Sequence, residues 1–212
     1  MRICGIDEAG KGPVLGPMTA AGVVAEDDSA LSGLGIRDSK QLTPKKREQL
    51  FDEITSSFEY SVIVRTPQEV DSRPGTMNQF TVACHAEVLR NLRPDKVILD
   101  ACDVNAKRFG ENVLSCSGVE AEVISVHKAD AKYEVVGAAS IVAKVTRDRI
   151  IEELKTEFGD IGSGYPSDET TVAFLRGYIR EYGKAPSCAR LTWQTTKDLL
   201  SSSAQKSLDG FF

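Results

Sequence analysis

The first 25 residues predict a β-hairpin whose turn carries chemically distinctive residues. Two apolar runs, residues 1–8 and 17–25, flank a segment rich in glycine and proline, which is typical of two strands joined by a turn. The first run ends in two adjacent carboxylates, Asp7 and Glu8, and Gly10-Lys11-Gly12 follows almost at once. A chain that folds in this way places paired negative charges beside a glycine-rich turn.

The remaining pattern predicts an α/β protein. Strand-like runs occur at 59–66 and 120–126, and the apolar run 96–101, KVILDA, suits a strand covered on both faces. Helical periodicity follows Thr43-Pro44, a typical N-cap with proline at the first helical position, and recurs at 78–92, 133–158 and 169–183. We therefore expect a mixed sheet flanked by helices, with a small helical C-terminal part.

Charge and composition narrow the class of protein without deciding it. The net charge of −5, from 26 basic and 31 acidic residues, argues mildly against a nucleic-acid binder. Basic residues are grouped locally, however, within 37–47 and 144–149, and such patches can bind a phosphate backbone. We expect no membrane segment, since no apolar run approaches the required length. The five scattered cysteines and the early acidic pair favour a cytoplasmic protein with reduced thiols.

Two nucleotide-binding patterns at the turn are incomplete. Gly5 and Gly10-Lys11 have the spacing of a phosphate-binding P-loop, but Gly12 stands where that motif needs a hydroxyl to hold magnesium. The third glycine of a dinucleotide-binding motif is also misplaced, at Gly16. The alternative is that Asp7 and Glu8 bind Mg²⁺ or Mn²⁺, whose natural ligands are carboxylate oxygens. The glycines would then let bare backbone groups approach a second polar ligand.

Such a site needs further carboxylates, for which the sequence offers several candidates. Asp100 ends the run Val97-Ile98-Leu99, where a charge is rarely present for packing, although it could also begin a turn. Asp130 lies just before the long predicted helix and would ordinarily be interpreted as a helix cap. Asp103 is a rival that spacing alone does not exclude.

The long predicted helix carries a polar stripe. Ser140, Lys144 and Arg147 occur at i, i+4 and i+7 and so share one helix face. The stripe is interpreted either as a solvated face or as a surface aimed at phosphates. The second interpretation is favoured because the same helix begins beside Asp130.

Five segments together resemble the successive motifs of ribonuclease HII in its archaeal form. They are GIDEAGKGPVLGP, RDSKQLT, ILDACD, HKADAKYEVVGAASIVAKVTRD and GSGYPSD, in that order along the chain. The resemblance implies a ribonuclease H-like fold with a helical C-terminal extension. It also implies an endoribonuclease that cuts RNA in RNA–DNA hybrids and at single ribonucleotides embedded in duplex DNA, leaving a 3′-hydroxyl and a 5′-phosphate.

The resemblance assigns roles to individual residues. Its four acids, which would hold two Mg²⁺ or Mn²⁺ ions during catalysis, correspond to Asp7, Glu8, Asp100 and Asp130. The family's Gly-Arg-Gly, which contacts the ribose 2′-hydroxyl through its backbone, corresponds to Gly10-Lys11-Gly12. The lysine departs from the family pattern and lacks the bidentate phosphate contact of arginine. The other substrate contacts would be Ser39, Lys40, Lys144, Arg147 and Tyr165.

Two rival functions share part of this pattern. Another nuclease of the same fold, such as a junction resolvase or an exonuclease, would need the acids but not the glycine motif or Tyr165. A non-catalytic nucleic-acid or clamp adaptor would need the basic patches but not four acids.

The C-terminal residues predict a tether. The serine-rich residues 201–204, SSSA, predict a flexible linker. The motif Q-x-x-L-x-x-F-F follows it and resembles the sequence that binds PCNA-type sliding clamps. Its contact residues would be Gln205, Leu208, Phe211 and Phe212. The predicted organisation is a catalytic domain at 1–168, a helical extension at 169–200 and a clamp-binding tail at 201–212.

Overall fold

The computed structural model describes residues 1–36 and 42–209, and of residues 205–209 it describes the backbone only. The strands are β1 (Ile3–Ala9), β2 (Met18–Ala25), β3 (Glu59–Arg65), β4 (Lys96–Asp100) and β5 (Glu122–Val126). The helices are α1 (Pro44–Ser57), α2 (Pro67–Asp71), α3 (Met77–Leu92), α4 (Ala106–Ser117), α5 (Glu134–Phe158), α6 (Glu169–Tyr182) and α7 (Gln194–Asp209). Short 3₁₀ helices cover Asp28–Leu34 and Ala129–Ala131.

The contacts of the chain divide it into two compact units. The first unit comprises Met1–Ala9, Thr19–Val64 and Pro74–Thr146, and the second comprises Gly10–Met18, Arg65–Arg73 and Arg147–Phe212. The predicted boundary between residues 168 and 169 falls inside the second unit. The turn after β1 thus belongs to the second unit, although β1 itself belongs to the first.

The first unit contains a mixed five-stranded sheet in the order β3-β2-β1-β4-β5. The predicted hairpin is confirmed, because β1 and β2 pair antiparallel from Ile3 with Ala25 to Ala9 with Thr19. In contrast, β4 pairs parallel with both β1 and β5. This mixed arrangement follows from the chain, since a short turn joins β1 to β2 whereas helices connect the later strands.

Both faces of this sheet are covered by helices, so strand alternation produces two cores. On one face Ile3 and Ile98 pack with α1 and α5, and on the other Cys4 and Leu99 pack with α3 and α4. Helix α5 approaches β1 very closely, because a Cβ atom on Gly5 would lie 2.3 Å from the backbone carbon of Val135. Glycine is therefore required at this crossing.

The second unit has its own apolar core, in which Leu15, Ile151, Leu175 and Ile179 are buried. Three helices were not predicted from the sequence, namely α2, α4 and α7. Residues 201–204, predicted as a flexible linker, are helical within α7. Among the described residues, no helix is both long enough and apolar enough to span a membrane.

Candidate active site

The two carboxylates at the end of β1 face different helices. Successive side chains of a strand point to opposite faces of a sheet. Asp7 therefore faces α5, where the hydroxyl of Ser140 hydrogen-bonds to it. Glu8 faces α3, where Nε2 of His85 lies 2.9 Å from Glu8 Oε2. Each carboxylate is thus held by a side chain from a different helix.

The register of the sheet places Asp100 beside Asp7. The parallel pairing of β1 and β4 runs from Ile3 with Lys96 to Ile6 with Leu99, so Asp7 and Asp100 come next on their strands. Both side chains therefore lie on the face that α5 covers. Asp100 Oδ1 accepts a hydrogen bond from the backbone N–H of Ala129 at 3.1 Å, which fixes its orientation.

Negative charge is concentrated around Asp7, whose side chain is only 8% exposed. Burial raises the pKa of Asp7 well above its ordinary value, and the charges of Glu8 and Asp100 raise it further. Hydrogen bonds from Ser140 and from the N–H of Glu8 act in the opposite direction but do not cancel the effect. A carboxylate placed in this way is destabilised in its ionised form unless a cation lies beside it.

Asp130 and its rival Asp103 lie in different surroundings. Asp130 is 3% exposed and lies in the 3₁₀ helix just before α5. In the first turn of α5, the N–H of Val135 is bound by the carboxylate of Asp28. Asp103 has partners of its own at the start of α4, since it accepts hydrogen bonds from Arg108 at 2.8 Å and from the N–H of Asn105 at 3.2 Å.

The acidic residues fit a divalent cation by their chemistry and charge. Carboxylate oxygens suit Mg²⁺ and Mn²⁺, and the repulsion at Asp7 is the kind that a bound cation relieves. Within residues 1–36 and 42–209, however, no group of three or more His, Cys, Asp or Glu side chains is arranged to hold a metal ion. Asp7, Glu8 and Asp100 are each hydrogen-bonded to the protein groups described above.

The second unit holds Gly10-Lys11-Gly12, here called the glycine loop, from one side. The buried guanidinium of Arg190 donates to the carbonyl oxygens of Gly10 at 2.6 Å and Lys11 at 3.2 Å. Trp193 Nε1 donates to the carbonyl oxygen of Gly12 at 3.0 Å. In a trans peptide the carbonyl and the following N–H point in opposite directions. The N–H groups of Lys11 and Gly12 are therefore directed away from Arg190.

Only glycine fits the first position of this loop. Gly10 has φ +83°, and a Cβ atom there would lie 2.6 Å from Cδ of Arg147. At Gly12 the situation differs, because a Cβ atom would meet nothing within 4 Å. The loop is thus tightly packed at its start and open at its end.

The segment that carries Arg190 and Trp193 is itself anchored. The carboxylate of Asp71, at the end of α2, accepts hydrogen bonds from the N–H groups of Leu191 at 2.6 Å and Thr192 at 3.0 Å. Burial, followed by the nearby charge of Arg147, lowers the pKa of Arg190 to about 9, which still leaves it charged at neutral pH. Arg190 therefore holds the loop as a cation.

Arg147 is placed differently from the prediction that it contacts a phosphate. Its side chain is 1% exposed, and its Nη2 donates to the carbonyl oxygens of Leu15 and Ser163, each at 3.3 Å. Its guanidinium carbon lies 5.2 Å from the ring centroid of Tyr165, which is 36% exposed. Arg147 thus supports the tyrosine from below and does not reach the surface.

The remaining predicted contact residues are only partly described. Lys11 and Lys144 are half-buried. Ser39 and Lys40 lie outside the described residues, as do Phe211 and Phe212. Gln205 and Leu208 belong to α7 by their backbone, and their side chains are outside the described part of the chain.

Sequence reasoning missed three residues that hold the predicted ones in place: His85, Arg190 and Trp193. His85 carried a weak signal, since a histidine beside Cys84 and Val88 on the apolar face of a helix needs a polar partner. Arg190 and Trp193 carried none, because nothing near them in sequence indicates contact with residues about 180 positions earlier.

Comparison with known proteins identifies the family. The sequence model of ribonuclease HII matches residues 4–196. A curated ribonuclease HII from Methanocorpusculum labreanum is 65% identical over 212 residues, which cover the whole of both chains. The chain belongs to the ribonuclease HII family. It is accordingly an enzyme, and its resemblance to the archaeal form is confirmed.

Solved structures agree with this assignment to the ribonuclease HII family. Ribonuclease H2 from Pyrococcus horikoshii superposes with a TM-score of 0.93 at 43% identity, covering 97% of this chain and 100% of that one. A ribonuclease HII from Archaeoglobus fulgidus, solved in complex with PCNA, superposes with a TM-score of 0.86 at 41% identity, covering 92% and 96% of the two chains. The predicted ribonuclease H-like fold is confirmed.

Proposed function

We propose that this enzyme hydrolyses the phosphodiester bond on the 5′ side of ribonucleotides, both in RNA–DNA hybrids and at single ribonucleotides in duplex DNA. The products would be a 3′-hydroxyl and a 5′-phosphate. The observation that carries the proposal is the buried Asp7 with the charges of Glu8 and Asp100 beside it, in a chain of the ribonuclease HII family. Such a concentration of carboxylates has little structural use without a cation.

The proposed ligands of the cation are Asp7, Glu8, Asp100 and Asp130, here called the carboxylate group. Bound Mg²⁺ or Mn²⁺, proposed as two ions, would supply the activation of water and the stabilisation of charge on the leaving oxygen. Within the group, Ser140 holds Asp7 and the N–H of Ala129 holds Asp100, so that two ligands are oriented before a cation arrives. This preorganisation lowers the cost of ordering the site during the reaction.

The glycine loop supplies specificity in this proposal. Because Arg190 holds the carbonyl oxygens of Gly10 and Lys11, the N–H groups of Lys11 and Gly12 point away from Arg190, and this is the side proposed to face the substrate. A 2′-hydroxyl distinguishes RNA from DNA at a given position. A backbone donor held at fixed geometry can test for that hydroxyl, and the absence of a side chain at Gly12 permits close approach.

Tyr165 would stack on the sugar at the junction between ribose and deoxyribose. Its partial exposure and the guanidinium of Arg147 beneath its ring support this role. Arg147 is then a support for the tyrosine. Phosphate contacts are proposed for Lys11, Ser39, Lys40 and Lys144.

The C-terminal residues Gln205, Leu208, Phe211 and Phe212 are proposed to bind a PCNA-type clamp. The solved complex of PCNA with ribonuclease HII from Archaeoglobus fulgidus, 41% identical to this chain, supports the assignment. Helix α7 extends to Asp209, so the motif would begin inside a helix and not after a flexible linker. We also propose a cytoplasmic location, where the genome provides these substrates.

A cleavage assay on three substrates tests the proposed reaction. The substrates are an RNA–DNA hybrid, a DNA duplex with one ribonucleotide and the same duplex without it, each with Mg²⁺ or Mn²⁺. The first two should be cut and the third should survive. Cutting of the all-DNA duplex would favour another nuclease of this fold, and cutting of none would favour a non-catalytic adaptor.

A further inference from the structure

His85 is a polar side chain in an apolar core. It lies on α3 with 0% exposure, among residues such as Cys84, Val88 and Phe109. Its ring packs edge-on against Phe109 at a centroid distance of 5.4 Å and an interplanar angle of 83°. Burying an imidazole at such a place is unfavourable unless its nitrogens form hydrogen bonds.

Among the residues that the structure describes, the one polar contact of this ring is with Glu8. His85 Nε2 lies 2.9 Å from Glu8 Oε2, whereas Nδ1 is buried and has no hydrogen-bond partner among the described residues. An ionised carboxylate accepts hydrogen bonds only, so Nε2 carries the hydrogen that joins the two side chains. In the neutral ring Nδ1 then carries no hydrogen, so it leaves no donor unsatisfied. The hydrogen bond to Glu8 therefore accounts for the presence of a polar ring at this buried position.

The hydrogen bond from His85 restrains the carboxylate of Glu8, which is the most mobile part of that side chain. A glutamate has three side-chain torsions, and the backbone of β1 fixes none of them directly. A hydrogen bond from a rigid, buried ring to Oε2 fixes the carboxylate plane and leaves Oε1 for another ligand. Metal-binding carboxylates are commonly held in this way by an outer hydrogen-bond donor.

We propose that His85 is a positioning residue, which acts through Nε2–H to orient the Glu8 carboxylate for cation binding. The inference rests on the proposed function, in which Glu8 is a ligand of the divalent cation. His85 touches neither substrate nor cation. It determines which oxygen of Glu8 the cation meets.

The test measures Mn²⁺ binding by calorimetry, without nucleic acid, in the full-length protein. His85→Met removes the donor while filling similar space, and His85→Gln places an amide N–H near the same point. We expect Mn²⁺ affinity to fall about 10- to 100-fold in His85→Met, as for other outer-shell donors. His85→Gln should remain within about threefold of the wild type, because it restores the donor.

Two controls separate positioning from packing. Phe109→Leu alters the other contact of the ring, so it should lower the melting temperature and leave Mn²⁺ affinity unchanged. In a Glu8→Gln background the further change His85→Met should have no additional effect on affinity. If His85→Met does not fold, His85→Asn replaces it, since its amide is too short to reach Glu8.

The outcomes are distinct for the two proposals. Wild-type affinity in a folded His85→Met protein, or equal losses in the methionine and glutamine variants, would overturn the role of His85. If the wild type fails to cut the ribonucleotide substrate while His85→Met still loses Mn²⁺ affinity, the proposed reaction fails and the role of His85 stands.

Discussion

The carboxylate group and the glycine loop are built on opposite electrostatic principles. In the first unit, the buried Asp7 lies beside the like charges of Glu8 and Asp100, which raise its pKa. In the second unit, a buried cation, Arg190, binds the carbonyl oxygens of a neutral backbone loop. The first arrangement brings like negative charges together, whereas the second pairs a positive charge with carbonyl oxygens.

This difference indicates what each region contributes. In the proposed function a bound cation stabilises the carboxylate group, so its chemistry would depend on an added ion. The glycine loop is rigid before any ligand arrives, because Arg190 and Trp193 hold it and Asp71 anchors the segment that carries them. We infer that the carboxylate group governs rate and the glycine loop governs the choice of substrate.

The largest effect is expected from Asp100→Asn. Loss of this ligand should reduce cleavage of every substrate by about a thousandfold, as a loss of about 4 kcal/mol in transition-state stabilisation implies. The melting temperature of the metal-free protein should stay the same or rise, because one like charge beside Asp7 disappears. Thermal unfolding and single-turnover cleavage check both statements. A melting temperature lower by many degrees would make Asp100 a structural residue.

The glycine loop should respond in the opposite way, with stability and activity lost together. Arg190→Met leaves the carbonyl oxygens of Gly10, Lys11 and Gly16 without their donor, and the free energy of unfolding should fall by about 3 kcal/mol. Arg190→Lys keeps the charge and fewer of the bonds, so its loss should be smaller. Denaturant unfolding measures both variants. Unchanged stability in Arg190→Met would show that the loop does not depend on this contact.

The pH dependence of stability gives a third contrast. Because the pKa of Asp7 is raised in the folded state, the proton it retains contributes stability that is fully present below its ordinary value of 3.8. That contribution is lost as the pH rises through the folded-state pKa. The melting temperature of the metal-free protein should therefore fall with rising pH above about pH 4, and Mn²⁺ should restore it.

Asp7→Asn provides the control for this titration. The variant lacks the titrating group, so both the fall with pH and the gain from Mn²⁺ should become smaller. A metal-free wild type whose melting temperature rises steadily from pH 4 to neutrality would contradict the assignment of buried repulsion to Asp7.

The smallest effect on cleavage is expected from the C-terminal residues, which belong to neither region. Deletion of 205–212 should abolish binding to a PCNA-type clamp in calorimetry and leave cleavage of short oligonucleotides nearly unchanged. The double change Phe211→Ala and Phe212→Ala should have the same effect without shortening α7. If the deletion lowers the melting temperature or the activity, the segment is part of the fold and not a tether.

Much of the carboxylate group was predictable because it depends on local pattern. The predicted strands 1–8 and 96–101 place charges near their ends, and the structure has Asp7 in the second half of β1 and Asp100 at the end of β4. The choice between Asp103 and Asp130 was not predictable from spacing. Their surroundings appear only in the folded chain, where Asp103 is bound by Arg108 and Asp130 is buried just before α5.

The residues that hold the glycine loop could not be predicted from the sequence, for a different physical reason. Arg190 acts on residues far away in sequence, so no periodicity or local motif records the contact. Arg147 was predicted from its place on a helical stripe, but periodicity indicates only a shared face and not whether that face is buried. Residues 201–204 were assigned to a linker from their serine content, whereas helix α7 continues through them, which shows how weak a prior such propensity is.

The division between rate and specificity is tested most directly by binding to two duplexes that differ in a single 2′-hydroxyl. The measurement uses Asp100→Asn, in which cleavage does not interfere, with and without Gly12→Ala. A methyl group at Gly12 meets nothing within 4 Å, so this change should not disturb folding. Asp100→Asn should bind the ribonucleotide duplex about tenfold more tightly than the all-DNA duplex, as one hydrogen bond implies. Adding Gly12→Ala should bring the ratio of dissociation constants close to one, whereas an undiminished ratio would contradict the account.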